Sequence, residues 1–212
     1  MIENTISTET ARRFYDRLGR GHDWAEFYDS QAKKRALALL DLAPGQNVLN
    51  VGVGTGKAHQ LIQSAVAPGG TVYGLDLSTV MLKLAYARTS AVLCEGDARA
   101  LPFAAASFDR LISTYVLDLL PAGDLAGVLA GFRHVLKPDG RTVIVSLTEG
   151  VNNPSRLVVA LWKAVYALSP IACGGCRPLE LSEIVGRTGF REVEREVLVQ
   201  LGVPSEVIVA QR

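Results

Sequence analysis

The chain has 212 residues, 49% of them apolar, with 22 basic and 21 acidic side chains and a net charge of +1. That length fits one domain with a sizeable core, and the near-neutral balance leaves no electrostatic footprint for nucleic acid. Only three cysteines and a start, Met1-Ile2-Glu3-Asn4-Thr5, without a basic or apolar leader pattern argue for a reducing, cytoplasmic setting. No uncharged apolar run reaches the roughly 20 residues of a membrane span.

Residues 8–42 read as helical. Thr8 is placed to cap a first helix carrying Phe14 and Leu18, Gly19-Arg20-Gly21 to break it, and a second helix to run over 31–42 until Pro44-Gly45 stops it. Tyr15 and Tyr28 suit half-buried packing as well as contact with a ligand. Residues 48–51 read as a buried strand, followed at once by Gly52, Gly54 and Gly56 and then by a helix over 57–66. Strand, glycine turn and helix bring backbone N–H groups and a helix N-terminus against a ligand. Glycine is required there because a Cβ would block the approach and because the turn uses positive φ. The dinucleotide fingerprint G-x-G-x-x-G is missed, since Lys57 stands where its third glycine belongs. A phosphate-binding G-x-x-x-x-G-K loop fails at the same residue.

Residues 71–76 form a second strand ending in Asp76, which lies 24 residues after Gly52, near the distance at which a carboxylate meets a ribose diol. Ser78 suits the N-cap of a helix over 79–88, with Met81 on its first turn, either in the core or against a flat ring. A third strand, 91–95, leads into Gly96-Asp97-Ala98, which is either an Asx turn or an acceptor for an N–H₂ group. The fourth strand, 108–114, runs out through Thr114, Tyr115 and Asp118. A helix over 123–135, a tight turn at 137–140 and a β-branched strand over 141–147 follow. Residues 154–168 are apolar nearly all round, so this helix is either buried or lines a greasy pocket. Cys173-Gly174-Gly175-Cys176 lacks the four ligands of a structural zinc and sits in a loop, so no metal is expected. Arg177 is expected to meet an acidic neighbour. A short helix over 179–188 and strands over 190–201 and 205–210 close the chain.

Four motifs now stand in order: V-L-N-V-G-x-G-T-G, V-Y-G-L-D-L-S, G-D-A-x-x-L-P-F-x-x-x-S-F-D and V-L-K-P-D-G-R. Over roughly residues 36–147 the chain resembles the class I S-adenosylmethionine-dependent methyltransferases, and among them the ubiquinone/menaquinone C-methyltransferases. The resemblance implies an α/β, doubly wound, mostly parallel sheet of seven strands in the order 3-2-1-4-5-7-6, the last antiparallel to the rest. It implies one domain over 1–212: a helical lid at 1–43, a cofactor-binding core at 44–147, a lid insertion at 148–178, and a final helix and strands at 179–212.

The implied cofactor is S-adenosylmethionine, leaving as S-adenosylhomocysteine. Its implied contacts are Asn50, Gly52, Gly54, Thr55 and Gly56 around the methionine half, Asp76 at the ribose, Leu77, Met81, Asp97 and Ala98 around the adenine, and Thr114 facing the methyl group. Tyr15 is placed to touch the methionine end. Asn50 departs from the family, which usually carries a carboxylate there. An amide oxygen still accepts a hydrogen bond but brings no charge. Asp118 and Tyr115 are the candidates to orient an acceptor or take its proton, the other reading of Asp118 being a cap for the next turn. The expected acceptor is small and lipophilic, quinone-like or phospholipid-like, with peripheral membrane contact and a monomer or homodimer as the working state. Two other readings compete: a cofactor-binding protein without transfer activity, which Asn50 favours, and an NAD(P)-dependent oxidoreductase, against which the glycine spacing and Asp97 speak.

Overall fold

The computed structural model describes residues 5–212; residues 1–4, on which the leaderless reading rests, lie outside them. Seven segments pair into one sheet: β1 (Asn47–Val51), β2 (Thr71–Asp76), β3 (Val92–Glu95), β4 (Phe108–Thr114), β5 (Leu136–Leu147), β6 (Arg191–Gln200) and β7 (Val203–Gln211). Their order is β3-β2-β1-β4-β5-β7-β6, as the resemblance implied. Strands β3 to β5 pair in parallel, whereas β7 runs antiparallel to both β5 and β6.

Because side chains alternate across a strand, neighbouring residues of the central strands feed two separate cores. Val48, Ile112, Val143 and Val145 pack with Ala36, Leu40, Ile62 and Val66 on one face. Leu49, Leu111 and Ile144 pack with Val128, Phe132 and Val185 on the other. The helices that cover the faces are α1 (Thr8–Leu18), α2 (Glu26–Leu39), α3 (Lys57–Val66), α4 (Thr79–Thr89), α5 (Leu125–Val135), α6 (Asn153–Leu168) and α7 (Ser182–Arg187). Burial on both faces explains why β1 and β4 read as apolar runs rather than as alternating strands.

Several boundaries differ from the sequence reading, each for a local reason. The first helix is capped by Ser7, whose hydroxyl accepts from the Thr10 N–H at 3.2 Å, so Thr8 is already helical. The second helix starts well before residue 31, and a 3-10 turn over Gly19–Ala25 joins it to the first. The expected turn at 137–140 is folded into β5, because the buried Leu136 pairs with Phe108 before Arg141 resumes pairing with Arg110. Asp139 absorbs the bulge with φ 59°. The helix over 153–168 is buried on one face only, through Ser155, Val159 and Tyr166.

Candidate active site

The strand order reverses between β1 and β4, and ligands of open α/β sheets bind outside the carboxyl ends of strands at such a point. A cleft of about 1230 Å³ opens there. Its floor is the tips of β1, β2 and β4, and its roof is α1, the 3-10 turn and the loop around Cys173–Cys176.

The glycine turn divides its labour. Gly52 has φ 77°, and a Cβ there would lie 2.2 Å from Val116 Cγ2, so only glycine fits. Gly54, φ 55°, faces the cleft with the His22 ring opposite, 3.7 Å from where a Cβ would stand. Gly56 does not line the cleft. It has φ 85°, and a Cβ would sit 2.7 Å from the backbone of Ala85, so this glycine serves the packing of α3 against α4 rather than the ligand.

Asp76 is held at the tip of β2. Its two carboxylate oxygens accept from the Gly54 N–H at 2.8 Å and the Ser78 N–H at 2.9 Å. Burial pushes its carboxyl above the usual carboxylate range, and these backbone bonds oppose the rise. Each oxygen keeps a lone pair for a ligand hydroxyl. Ser78 caps α4 as expected, accepting from the Met81 N–H at 3.1 Å.

Three lid residues that sequence reasoning missed tie the roof to this floor. The Ser78 hydroxyl donates to Asp16 at 2.6 Å. The Thr55 hydroxyl donates to Asp23 at 2.5 Å, and Arg88 donates to both of them. Burial alone would raise the Asp23 carboxyl, but the bonds from Thr55 and Lys57 and the Arg88 charge hold it below the usual range. His22 completes the set over Gly54. The sole sequence signal for them was the Tyr15-Asp16-Arg17-Leu18 segment, which marks the helix but not its partners.

On the far side, Leu77, Met81 and Ala98 line the cleft beside Asp97. Asp97 forms the Asx turn, accepting from the Arg99 N–H at 2.9 Å, and its carboxylate is gripped by the Arg99 guanidinium at 2.5–3.1 Å. The side-chain bond from Arg99 holds this carboxyl low. Both earlier readings of Asp97 are therefore compatible: the turn aims an ionised carboxylate at the cleft.

At the tips of β1 and β4, Asn50, Thr114 and Tyr115 line the cleft. Tyr115 has φ 56°, a left-handed backbone that a bulky residue adopts only where its surroundings impose it. Its hydroxyl is 2.7 Å from Ser205 Oγ. Burial pushes the phenol well up, with the Ser205 bond opposing. Lys33 stands 5.7 Å above its ring and pairs with the buried Asp29 at 2.7 Å. Tyr28 meets Trp162 edge-on at 6.4 Å, and the Trp162 N–H donates to the Cys176 carbonyl at 2.9 Å. Tyr15 also lines the cleft and donates to the Gly174 carbonyl at 3.2 Å.

Asp118 is placed differently from the expectation. It is fully buried, lies behind the cleft wall rather than in it, and accepts from the Leu147 N–H at 2.7 Å. Burial pushes its carboxyl well up, and its bond to Leu147 fastens the turn after β4 to β5. Arg177 is also buried and donates to the Leu120 carbonyl, with Asp118 as its acidic neighbour. Among the described residues no cluster of three His, Cys, Asp or Glu side chains could hold a metal ion.

Comparison with known proteins gives this geometry its family. Residues 48–140 match the family model described as a methyltransferase domain. The chain is 32% identical to the nocamycin O-methyltransferase of Saccharothrix syringae over 93% of its own length and 69% of that protein. The chain belongs to the class I S-adenosylmethionine-dependent methyltransferases. It is also 28% identical to the demethylmenaquinone methyltransferase of Tropheryma whipplei, over 77% of this chain and 68% of that one. The phosphoethanolamine N-methyltransferase 2 of Haemonchus contortus, solved with S-adenosylhomocysteine, shares the fold with a TM-score of 0.71 at 18% identity. That alignment covers 98% of this chain and 60% of the other.

The donor set of this methyltransferase fits S-adenosylmethionine. A carboxylate with free lone pairs, Asp76, suits a diol; an ionised Asp97 beside apolar Leu77 and Met81 suits a flat base with an amino group. Asn50 and the glycine turn supply a neutral acceptor and close backbone for a zwitterionic tail.

Proposed function

We propose that this methyltransferase acts on a small lipophilic acceptor, quinone-like or phospholipid-like, bound at the end of the cleft beyond Thr114. When bound, S-adenosylmethionine supplies an electrophilic methyl group on a sulfonium that leaves readily. The task of the chain is then to align and to exclude water. Asn50, Gly52, Gly54 and Thr55 surround the methionine half, Asp76 takes the ribose, and Leu77, Met81, Asp97 and Ala98 take the adenine. Thr114 and Tyr115 face the acceptor. Because its phenol stays protonated, Tyr115 orients a polar atom of the acceptor by hydrogen bonding rather than acting as a base.

The observation that carries this reading is the lining of that end. Phe27, Tyr28, Leu37, Tyr115, Leu147 and Trp162 present apolar and aromatic surface there, and the Asp29–Lys33 ion pair supplies a local polar anchor. Such a lining suits a ligand with a large apolar body and a single polar handle. The two relatives, an O-methyltransferase and a demethylmenaquinone methyltransferase, are consistent with it.

The test is transfer of labelled methyl from S-adenosylmethionine into a cell extract, followed by partition. Label in the organic layer is the expected result. Label confined to the aqueous layer overturns the lipophilic acceptor while keeping the enzyme.

A further inference from the structure

Ten large apolar side chains are exposed among the described residues, and six of them gather at one end of the molecule. Leu157, Leu161, Val165 and Leu168 are 63%, 60%, 45% and 90% exposed, at the spacing of one helical stripe. Exposed alanines 160, 164 and 167 of α6 widen the stripe. Phe27 and Leu201 extend it: Gln200 bonds the Phe27 carbonyl at 2.7 Å, and Gly202 abuts Val158 of α6. A monomer rarely leaves so much contiguous apolar surface without a use.

Two features identify what covers it. First, a groove of about 320 Å³ lies on α6, and Trp162, Ala172 and Cys173 line both this groove and the cleft. Whatever lies on α6 therefore meets the wall of the acceptor end. Second, residues 150–179 contain no carboxylate and carry Arg156, Lys163 and Arg177. Arg177 is buried and Lys163 is tied to Glu149 at 2.5 Å, which leaves the exposed Arg156 at the head of the stripe. An apolar helix face with a cationic flank lies in the plane of an anionic lipid surface.

We propose that α6, with Phe27 and Leu201, docks this enzyme on a phospholipid bilayer, so that a membrane-dissolved acceptor reaches the cleft past Trp162. The proposal rests on the lipophilic-acceptor reading for its purpose, but its geometry stands apart from it. A protein partner on α6 would close the groove, whereas a bilayer supplies the acceptor through it. Insertion of the leucines provides most of the attraction. One arginine adds only about a fivefold preference for anionic lipid.

The test is cosedimentation of the full chain, loaded with S-adenosylhomocysteine, with vesicles of equal parts phosphatidylcholine and phosphatidylglycerol. The wild type pellets with the vesicles. Leu161→Glu and Leu168→Glu each lose roughly tenfold or more in partitioning, Arg156→Gln loses the anionic preference, and Tyr86→Glu, on the exposed face of α4, changes nothing. All variants keep S-adenosylhomocysteine binding, because none of these residues lines the cofactor end. The proposal is overturned if the folded wild type stays in the supernatant. It is also overturned if Tyr86→Glu loses as much as the α6 variants, or if Leu161→Glu only converts a dimer to a monomer, which would make a second copy the occupant. Vesicle binding without label in any lipid fraction would remove the lipophilic acceptor and leave the docking surface. Methylation of detergent-dispersed lipid by a chain that ignores vesicles would do the reverse.

Discussion

Asp76 accepts from the Gly54 and Ser78 amides and still offers lone pairs to the cleft, so one side chain shapes the glycine turn and, in the proposed function, the ribose site together. Asp76→Ala should weaken S-adenosylhomocysteine binding by roughly 10–100-fold, the range of a lost charge-assisted bond. Isothermal titration reads this directly, and an unchanged affinity would take Asp76 out of the site. Asp118 stands at the opposite pole. It is a buried acid whose carboxyl is pushed up and whose partner is the Leu147 amide. Asparagine has the same shape and can keep that acceptor, so Asp118→Asn should leave turnover within about threefold of wild type. A loss on the order of 100-fold would restore a direct role in proton transfer. Sequence reasoning placed both aspartates near strand ends but had no means of telling which way the second one turned.

At the scale of elements, the glycine turn shows how one motif meets two demands. Gly54 faces the cleft, while Gly56 lets α3 approach the Ala85 backbone of α4. Gly56→Ala combines a left-handed backbone with a 2.7 Å contact. It should cost roughly 2–4 kcal/mol of stability by urea unfolding. Gly54→Ala meets its nearest neighbour only at 3.7 Å, so its loss should fall on cofactor affinity more than on stability. A variant pair with the opposite ranking would refute this division. The motif was legible in the sequence; its division was not, because spacing does not say which glycine faces a ligand and which faces a helix. The helix α6 gives a similar lesson. Its composition is apolar nearly all round and suited burial or the wall of a greasy pocket, yet only the face carrying Ser155, Val159 and Tyr166 is buried.

For the whole molecule, pH tests the core beneath the site. His59 is fully buried under β2, and burial lowers its imidazole to about 4, with the Val72 backbone opposing. The unfolded chain takes up a proton near 6.5. Between those values the unfolded state binds more protons, so stability falls as pH falls from about 6.5 to 4. The full loss is roughly 3 kcal/mol. The raised carboxyls of Asp118 and Glu206 act in the opposite sense, so the comparison must be made against His59→Leu. That variant should lack the loss. If wild type and variant decline in parallel on acidification, the imidazole is not the group responsible.

The sequence by itself determined the family, the sheet order and the residues at the tips of β1, β2 and β4. The strands and their tip residues depend on local periodicity, on glycine chemistry and on short-range spacing, whereas the family and the sheet order were legible only through the resemblance that the four motifs carry. Tertiary structure alone decided what long-range contact decides. It closed the lid on the floor through Asp16–Ser78 and Asp23–Thr55, and it turned Asp118 inward. It also set Tyr115 under Lys33 and left the leucines of α6 facing outward. Each of these pairs residues far apart in the chain or selects one face of an element, and neither choice has a one-dimensional signature.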